Sequence, residues 1–422
     1  MVSDVLSTIG PNWHLLLPIG VVGALSWSIW LLRKILSARY RPVVNDFRTT
    51  TSVVVPSFRE DPEILERCLD TWLAQSPTEV IVVLDVEDQE AFARLTARAN
   101  PQLKVMSFAH QGKRSALGVG IRAATSEILV LCDSDTHWRP GLLRAVQMPF
   151  VDPAVGAVGT RQNVHLPHSS IWRRVADWII DLRYLDYVPA TSRAGAVVCV
   201  SGRTAAYRRA AVMPVLENLE HEFFLGRRCV AGDDGRLTWL VLASGYRTMH
   251  QDSARAISMF PNTFRAFCKQ RIRWSRNSYR CYLTAAWKGW LWRVPLVSQI
   301  TVLQILFTPV TMFAAVYYVV ASGFSDRGWQ ALALSLAWVL IGRAIRSFSH
   351  LRRCPADILI LPLVAVVIAM VALPIKVYAL VTMNRQGWLT RRTDLIGGES
   401  QDQASLTTVP AATVPAATTV TA

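Results

Sequence analysis

From Thr51 to Cys132, short β-branched runs alternate with stretches in which apolar residues recur at helical spacing. Ser52–Pro56, Val80–Leu84, Lys104–Phe108 and Ile128–Cys132 read as strands. Pro62–Ala74, Glu90–Ala99 and Ser115–Ala124 read as helices. In the first of these, Ile64, Leu65, Leu69, Trp72 and Leu73 fall on one side. Strand–helix–strand order with continuously apolar strands predicts an α/β domain with a doubly wound, mostly parallel sheet. Ligands of such sheets bind at the carboxyl ends of the strands. Three of those ends run into polar loops: Ser57–Asp61, Asp85–Asp88 and Asp133–Asp135. Ser57 and Glu60 in the first loop are therefore candidate ligand contacts.

The pattern changes at both ends of the chain. Leu15–Leu32 is 18 residues without a charge, the length of a membrane helix. Only Asp4 precedes it with a charge, whereas Arg33, Lys34, Arg39, Arg41 and Arg48 follow. The positive-inside rule then predicts an outside N-terminus and a cytosolic domain after Arg33. Beyond Asn262, Phe264–Trp290 is basic and aromatic and suits a membrane surface. Val294–Ser325, Gly328–Gly342 and Ile358–Ile375 are three further uncharged runs, making four hydrophobic segments. Pro362 and Pro374 allow the last to form a hairpin or re-entrant element, so the topology of 294–382 stays open. The expected organisation is an N-terminal membrane helix (1–40), a cytosolic domain (41–262), amphipathic interfacial helices (263–292), a membrane-spanning region (293–384), a segment at 385–398 and an Ala/Thr/Val/Pro-rich disordered tail (399–422).

Composition agrees with this division. Hydrophobic residues make up 51% of the chain, and 45 Lys and Arg against 30 Asp and Glu give a net charge of +15. That balance fits a nucleic-acid binder, a secreted basic protein or a membrane protein. The bases cluster beside the hydrophobic segments, where topology and anionic lipid account for them, so the expected partner is a lipid bilayer and not nucleic acid. The seven cysteines are scattered, with no CxxC pair, which argues against a zinc module or disulfide framework and fits a reducing cytosol.

Three motifs carry chemistry. Asp133-Ser134-Asp135 follows an apolar strand, and its two carboxylates can face one site that suits Mg²⁺ or Mn²⁺; alone, the pattern also describes a solvated turn. Gly232-Asp233-Asp234 offers a general base, or equally a cap for a helix beginning near Leu237. Gln270, Arg273 and Trp274 stand at i, i+3 and i+4 on a helix. Gln and Arg suit a phosphate and the indole suits a sugar face, although a basic interfacial helix with an aromatic anchor has the same pattern.

Taken in order, Asp85, Asp133-Ser134-Asp135, Gly232-Asp233-Asp234 and Gln270-Arg271-Ile272-Arg273-Trp274 resemble the family 2 membrane glycosyltransferases that polymerise sugars, the cellulose, chitin and hyaluronan synthases. Val200-Ser201-Gly202, the stretch from His110 to Arg114, the stretch from Arg273 to Tyr279, and Gln386–Arg391 are most similar to the hyaluronan-synthase branch. The resemblance implies a nucleotide-sugar-binding A-type glycosyltransferase fold joined to interfacial and membrane helices. It implies that Ser57, Glu60, Asp85, Lys113 and Asp133 contact the nucleotide of a UDP-sugar. Asp135 would be the metal ligand, and Gln270 and Arg273 would meet the diphosphate. Trp388 and Arg391 would close over the nucleotide as a gate. Asp234 would be the catalytic base, with Ser201, Gly202, Asp233 and Trp274 at the acceptor.

The chain departs from the family pattern in four places. Gly235 stands before Arg236, Leu389 replaces a glycine, Arg203 follows Ser-Gly, and there is one N-terminal hydrophobic segment where many relatives have two. The expected activity is processive, inverting transfer from UDP-sugars to a growing polysaccharide at the plasma membrane, by a chain acting as a monomer or an oligomer. Hyaluronan or a related glucuronate polymer is the leading product. The rivals are a non-processive enzyme that adds one sugar to a lipid or short acceptor, and a non-enzymatic membrane binder or transporter.

Overall fold

The computed structural model describes residues 21–109, 111–324, 328–385 and 419–421. Helix α1 (Val21–Ala38) leads by an extended link into the sheet. Strands β1 (Thr51–Ser57) and β2 (Glu79–Asp85) are buried along their whole length. β3 (Leu103–Phe108) pairs parallel with β2, and β4 (Ile128–Cys132) pairs parallel with β1. Helices α2 (Pro62–Leu73), α3 (Gln89–Thr96) and α4 (Lys113–Ala123) make the crossovers. Every end of these elements lies within three residues of the sequence expectation.

The local reasons are visible in α2. The Asp61 carboxylate accepts from the backbone N–H of Glu63 (2.9 Å) and Ile64 (3.3 Å), and Pro62 opens the helix. The helix buries Leu65, Cys68, Leu69 and Trp72, and the Trp72 indole donates to the Thr136 carbonyl at 2.9 Å. Successive β1 residues feed opposite cores: Val53 and Val55 pack on the α2 side and Val54 on the α4 side. Burial on both faces explains why these strands lack polar alternation.

The rest of the sheet is not sequential. β5 (Thr136–Trp138), β6 (Val155–Val164), β7 (Thr204–Arg208), β8 (Arg247–Ser258) and β9 (Thr419–Thr421) complete the order β9-β3-β2-β1-β4-β7-β6-β8-β5. β7 runs antiparallel to both β4 and β6 and so interrupts the mostly parallel sheet from within, and edge strand β5 runs antiparallel to β8. β9 pairs antiparallel with edge strand β3, inside the tail that composition marks as disordered.

Helices α5 (Ile171–Leu182) and α6 (Asp233–Ala243) pack on the sheet, and α7 (Phe264–Trp287) leads away from it. The long apolar run after residue 293 is bent by 60° between Leu296–Leu306 and the following helix Thr308–Gly323. Residues 355–381 are broken into four short pieces around Pro362 and Pro374. Among the described residues, Gly328–Arg346 is the one helix long and apolar enough by itself to cross a membrane. The bent pair qualifies when its halves are taken together. α1 continues past the expected Leu32: Arg33 donates to Gln304 (2.6 Å) and Thr301 (3.1 Å), and Lys34 pairs with Asp186 (2.7 Å).

A buried charge network ties α5 to the helix Phe348–Arg353. The His350 ring lies between the Asp181 and Asp357 carboxylates, 2.8 Å from each, and stacks against Trp178 at 4.6 Å. Arg353 pairs with Asp177 (2.6 Å) and Asp181 (2.7 Å). Burial lowers the imidazole pKa, but hydrogen bonds that the ring donates to both carboxylates outweigh it, so the ring ionises above its ordinary 6.5. Asp177, His350 and Cys354 bring ligand atoms within 4.8 Å of one another, yet both His350 nitrogens already face carboxylates. All seven cysteines are free thiols.

Breaking a buried ion pair by removing one partner costs about 3–5 kcal/mol. His350→Gln is therefore expected to destabilise the protein by about that much near pH 6. A raised folded-state pKa gives stability that is complete below the unfolded value and fades as pH rises through the folded value. The gap in Tm between wild type and H350Q should shrink as pH is raised, as thermal melts of detergent-purified protein would show.

Candidate active site

Two strand ends and two helix starts converge on one point. β4 delivers Asp133-Ser134-Asp135, and the Ser134 hydroxyl donates to Glu60 at 2.8 Å, tying this loop to the one after β1. Lys113, the first residue of α4, pairs with Asp133 at 2.7 Å and with Asp233 at 3.1 Å. Burial acts to lower the Lys113 pKa, but the surrounding carboxylates, Asp133 and Asp233 foremost, leave it raised and the ammonium firmly charged.

Gly232 takes φ +77°, a conformation costly for residues with a Cβ, and turns the chain so that Asp233 and Asp234 open α6. The helix thus starts earlier than the expected Leu237, and the two acids are its first turn, where its dipole favours carboxylates. Asp234 accepts from its neighbour Gly235 N–H (2.8 Å) and from Gly202 N–H (3.3 Å). A Cβ on Gly202 would sit 3.1 Å from the Asp234 Cβ and 3.2 Å from an Asp233 oxygen, so a larger residue there would push on both acids. Thr238 donates to the Asp234 carbonyl (2.7 Å) and accepts from Val200 N–H (3.0 Å), fastening the Val200–Gly202 segment to α6. Burial raises the Asp234 pKa and the Asp233 charge raises it further, against a smaller opposing pull from Lys113.

A cavity of about 1960 Å³ opens from this point. Glu60, Lys113, Asp133, Asp135, Asp233 and Asp234 line its sheet end, with Ser201 and Gly202 beside them. Arg273 and Trp274 of α7 also line it, and Trp274 meets Phe260 edge-on at 6.2 Å. The lining of the same cavity extends to residues of α1 and of the apolar helices Leu296–Leu306, Thr308–Gly323 and Gly328–Arg346.

Ser57 and Asp85 are buried at the ends of β1 and β2 and are not part of this lining, which Pro56 and Phe58 supply there. Gln270 is buried to one side of α7, and Arg271 takes its place on the cavity wall. Sequence reasoning did not single out Arg271, although it stands three residues before Trp274 on the same helix. Arg183, Tyr184 and Cys199, which also line the cavity, carried no motif. Trp388 and Arg391 lie outside the described residues.

Residues 48–277 match the family described as glycosyltransferase like family 2. The chain belongs to glycosyltransferase family 2 and is an enzyme that transfers sugars. It is 27% identical to an N-acetylglucosaminyltransferase of Bradyrhizobium diazoefficiens, over 81% of this chain and 71% of that one. It is 25% identical to a hyaluronan synthase of Streptococcus pyogenes serotype M3, over 89% and 91% of the two chains. Among solved structures it resembles a mannosyltransferase from Pyrobaculum calidifontis in complex with GDP-mannose and Mn²⁺. There the TM-score is 0.56 and the identity 22%, over 88% of this chain and 99% of that one. The fold is thus of the A-type glycosyltransferase kind, with the mostly parallel sheet that the sequence predicts.

The electrostatics carry a pH signature. Asp234 should ionise above the ordinary carboxylate value of 3.8 because of burial and Asp233. Asp233→Asn removes the like charge and should move the acid limb of the pH–rate profile to lower pH. Nucleotide release measured between about pH 4 and 8 checks this, and an unmoved limb would count against Asp234 as the group that titrates.

Proposed function

We propose that the protein is a processive, inverting polysaccharide synthase that uses UDP-sugars and passes its product across the plasma membrane. The observation that carries this reading is the single cavity joining Asp133, Asp135 and Asp234 to the space between the apolar helices, with Trp274 along the way. A polymer extended at the acidic end has a path out, and an indole suits the sugar face it must hold. The hyaluronan-synthase and N-acetylglucosaminyltransferase relatives support the same reading.

In this proposal the acceptor hydroxyl attacks the anomeric carbon while UDP leaves from the opposite face. Asp234 takes the hydroxyl proton; a raised pKa suits a base that must hold a proton briefly near neutral pH. One base suffices, unlike the carboxylate pair of glycoside hydrolysis. Lys113, Arg273 and Glu60 hold the nucleotide side from the lining, and Ser57, Asp85 and Gln270, buried behind it, back the nucleotide site from the ends of β1 and β2 and from α7. Asp133 and Asp135 offer hard carboxylate oxygens beside Lys113 that fit Mg²⁺ or Mn²⁺, with Asp135 the more direct ligand. Such an ion, when bound, neutralises charge on the leaving diphosphate. Ser201, Gly202, Asp233 and Trp274 face the acceptor, and 385–398, with Trp388 and Arg391, is the gate.

The helices after residue 293 and α1 are proposed to sit in the lipid bilayer, with the sheet domain cytosolic and the N-terminus outside. Outward-facing Phe313, Tyr317, Trp329 and Ile341 support burial of that surface in lipid. A hyaluronan-like, glucuronate-containing polymer is the product that the branch resemblance favours. A second reading, transfer of one sugar to a lipid or short acceptor, draws on the mannosyltransferase, whose fold matches over nearly its whole length.

Product length separates the two. Purified protein given UDP-glucuronate and UDP-N-acetylglucosamine, alone and together, should yield a product that elutes as a long polymer; a single-sugar product would remove the first reading. Asp234→Asn should reduce transfer by at least about 100-fold while UDP binding persists. Retained turnover would remove the base assignment.

A further inference from the structure

Arg271 is a cation that no anion among the described residues answers. Its Nε and Nη2 are buried and have no hydrogen-bond partner among the described residues. It lies against aromatic rings, 5.0 Å from the Phe267 centroid and 4.9 Å from that of Trp274. Burial, and then repulsion from Arg183, lower its pKa to about 10, so it stays charged at neutral pH. Lys376, on the helix Ala372–Val381 packed beside α7, feels the Arg271 charge in turn. Arg271, Arg183 and Lys376 all line the same cavity, on its course from Trp274 towards the apolar helices.

The imbalance continues along that course. Arg33, Arg343 and Arg346 line the cavity further on. Among the described lining residues, the one acid outside the cluster of Glu60, Asp133, Asp135, Asp233 and Asp234 is Asp186, and Lys34 already pairs with it at 2.7 Å. Cation–π contacts compensate a guanidinium only in part, because its edge N–H groups still need acceptors. A buried charge without a partner is strongly unfavourable unless a ligand completes it. Among the described residues nothing supplies that acceptor, and an anionic occupant of the cavity would. A guanidinium fork beside a sugar-stacking indole matches the two oxygens of a carboxylate on a pyranose ring.

We propose that Arg271, with Arg183 and Lys376, forms a subsite for the carboxylate of a uronic acid in the nascent chain, next to the ring that stacks on Trp274. The subsite rests on the reading of the cavity as the product's path. It makes Arg271 the residue that selects an acidic over a neutral chain.

The test uses the full chain in lipid nanodiscs. The probes are a tetrasaccharide of alternating glucuronate and N-acetylglucosamine and its carboxyl-reduced, neutral form. Wild type should bind the acidic probe at least about tenfold more tightly, the worth of one charge-assisted hydrogen bond. Arg271→Gln should erase that preference while leaving UDP–Mn²⁺ affinity unchanged, and Arg271→Lys should keep part of it through charge alone. Equal affinity of wild type for both probes overturns the subsite, even if R271Q fails to fold. So does a preference that survives R271Q, a loss confined to UDP binding, or displacement of the acidic probe by an equal concentration of inorganic phosphate. Failure of the synthase reading appears elsewhere, as single-sugar products on the sizing column, and is distinguishable from each of these results.

Discussion

The Lys113 ammonium is the contact on which the site depends. It reaches Asp133 at the end of β4 and Asp233 at the start of α6, two acids 100 residues apart in sequence. Without a cation between them, Asp133, Asp135, Asp233 and Asp234 would crowd like charges into one buried corner, which a low dielectric makes costly. With it, the acids can remain close enough to address one substrate. The same ion pair fixes α4 against α6 and so sets the distance between the nucleotide side and the proposed base. The Arg114 side chain reinforces it from the next position, donating to the Gly232 carbonyl at 3.1 Å and pairing with Glu222 at 2.6 Å.

That arrangement explains which parts of the molecule were legible in sequence. The first four strands and three helices are local, strongly periodic and covered on both faces, so pattern alone located them within three residues. The reversed strand β7 was not legible. Its partners β4 and β6 lie some 40 or more residues away, and nothing in Thr204–Arg208 says which neighbour it will find. Asp133, Asp135 and Asp234 were singled out by the order of the motifs, since each pattern alone also describes a turn or a helix cap, and it is the folding of the chain that brings them to one cavity. Gln270 and Arg271 were separated only by packing. Helical spacing puts both within reach of Trp274, and the identity of the neighbouring helices decides which one meets the cavity.

The two halves of the molecule also share charge. His350, held between Asp181 and Asp357, links α5 of the sheet domain to the helix that follows Gly328–Arg346. Arg174 adds a second link to Asp357 and Arg353 a second to Asp181. A flexible joint there would let the cavity shear at the point where the sheet domain meets the apolar helices. A buried, mutually satisfied ion network resists that motion, because moving one member strands the others.

The departures from the family pattern now have a physical context. Gly235, inserted before the arginine, lets α6 approach α7 so closely that a Cβ would sit 3.1 Å from the Cys281 sulfur. The displaced Arg236 instead pairs with Glu222 at 3.2 Å and lies over the Trp290 ring at 5.1 Å, so it supports the helix rather than the cavity. Arg203, standing where a small residue is usual, covers Phe260 at 4.0 Å and approaches Trp274 at 5.6 Å. The two substitutions within the described residues thus bear on the aromatic wall and on α7, not on Lys113, Asp133 or Asp135.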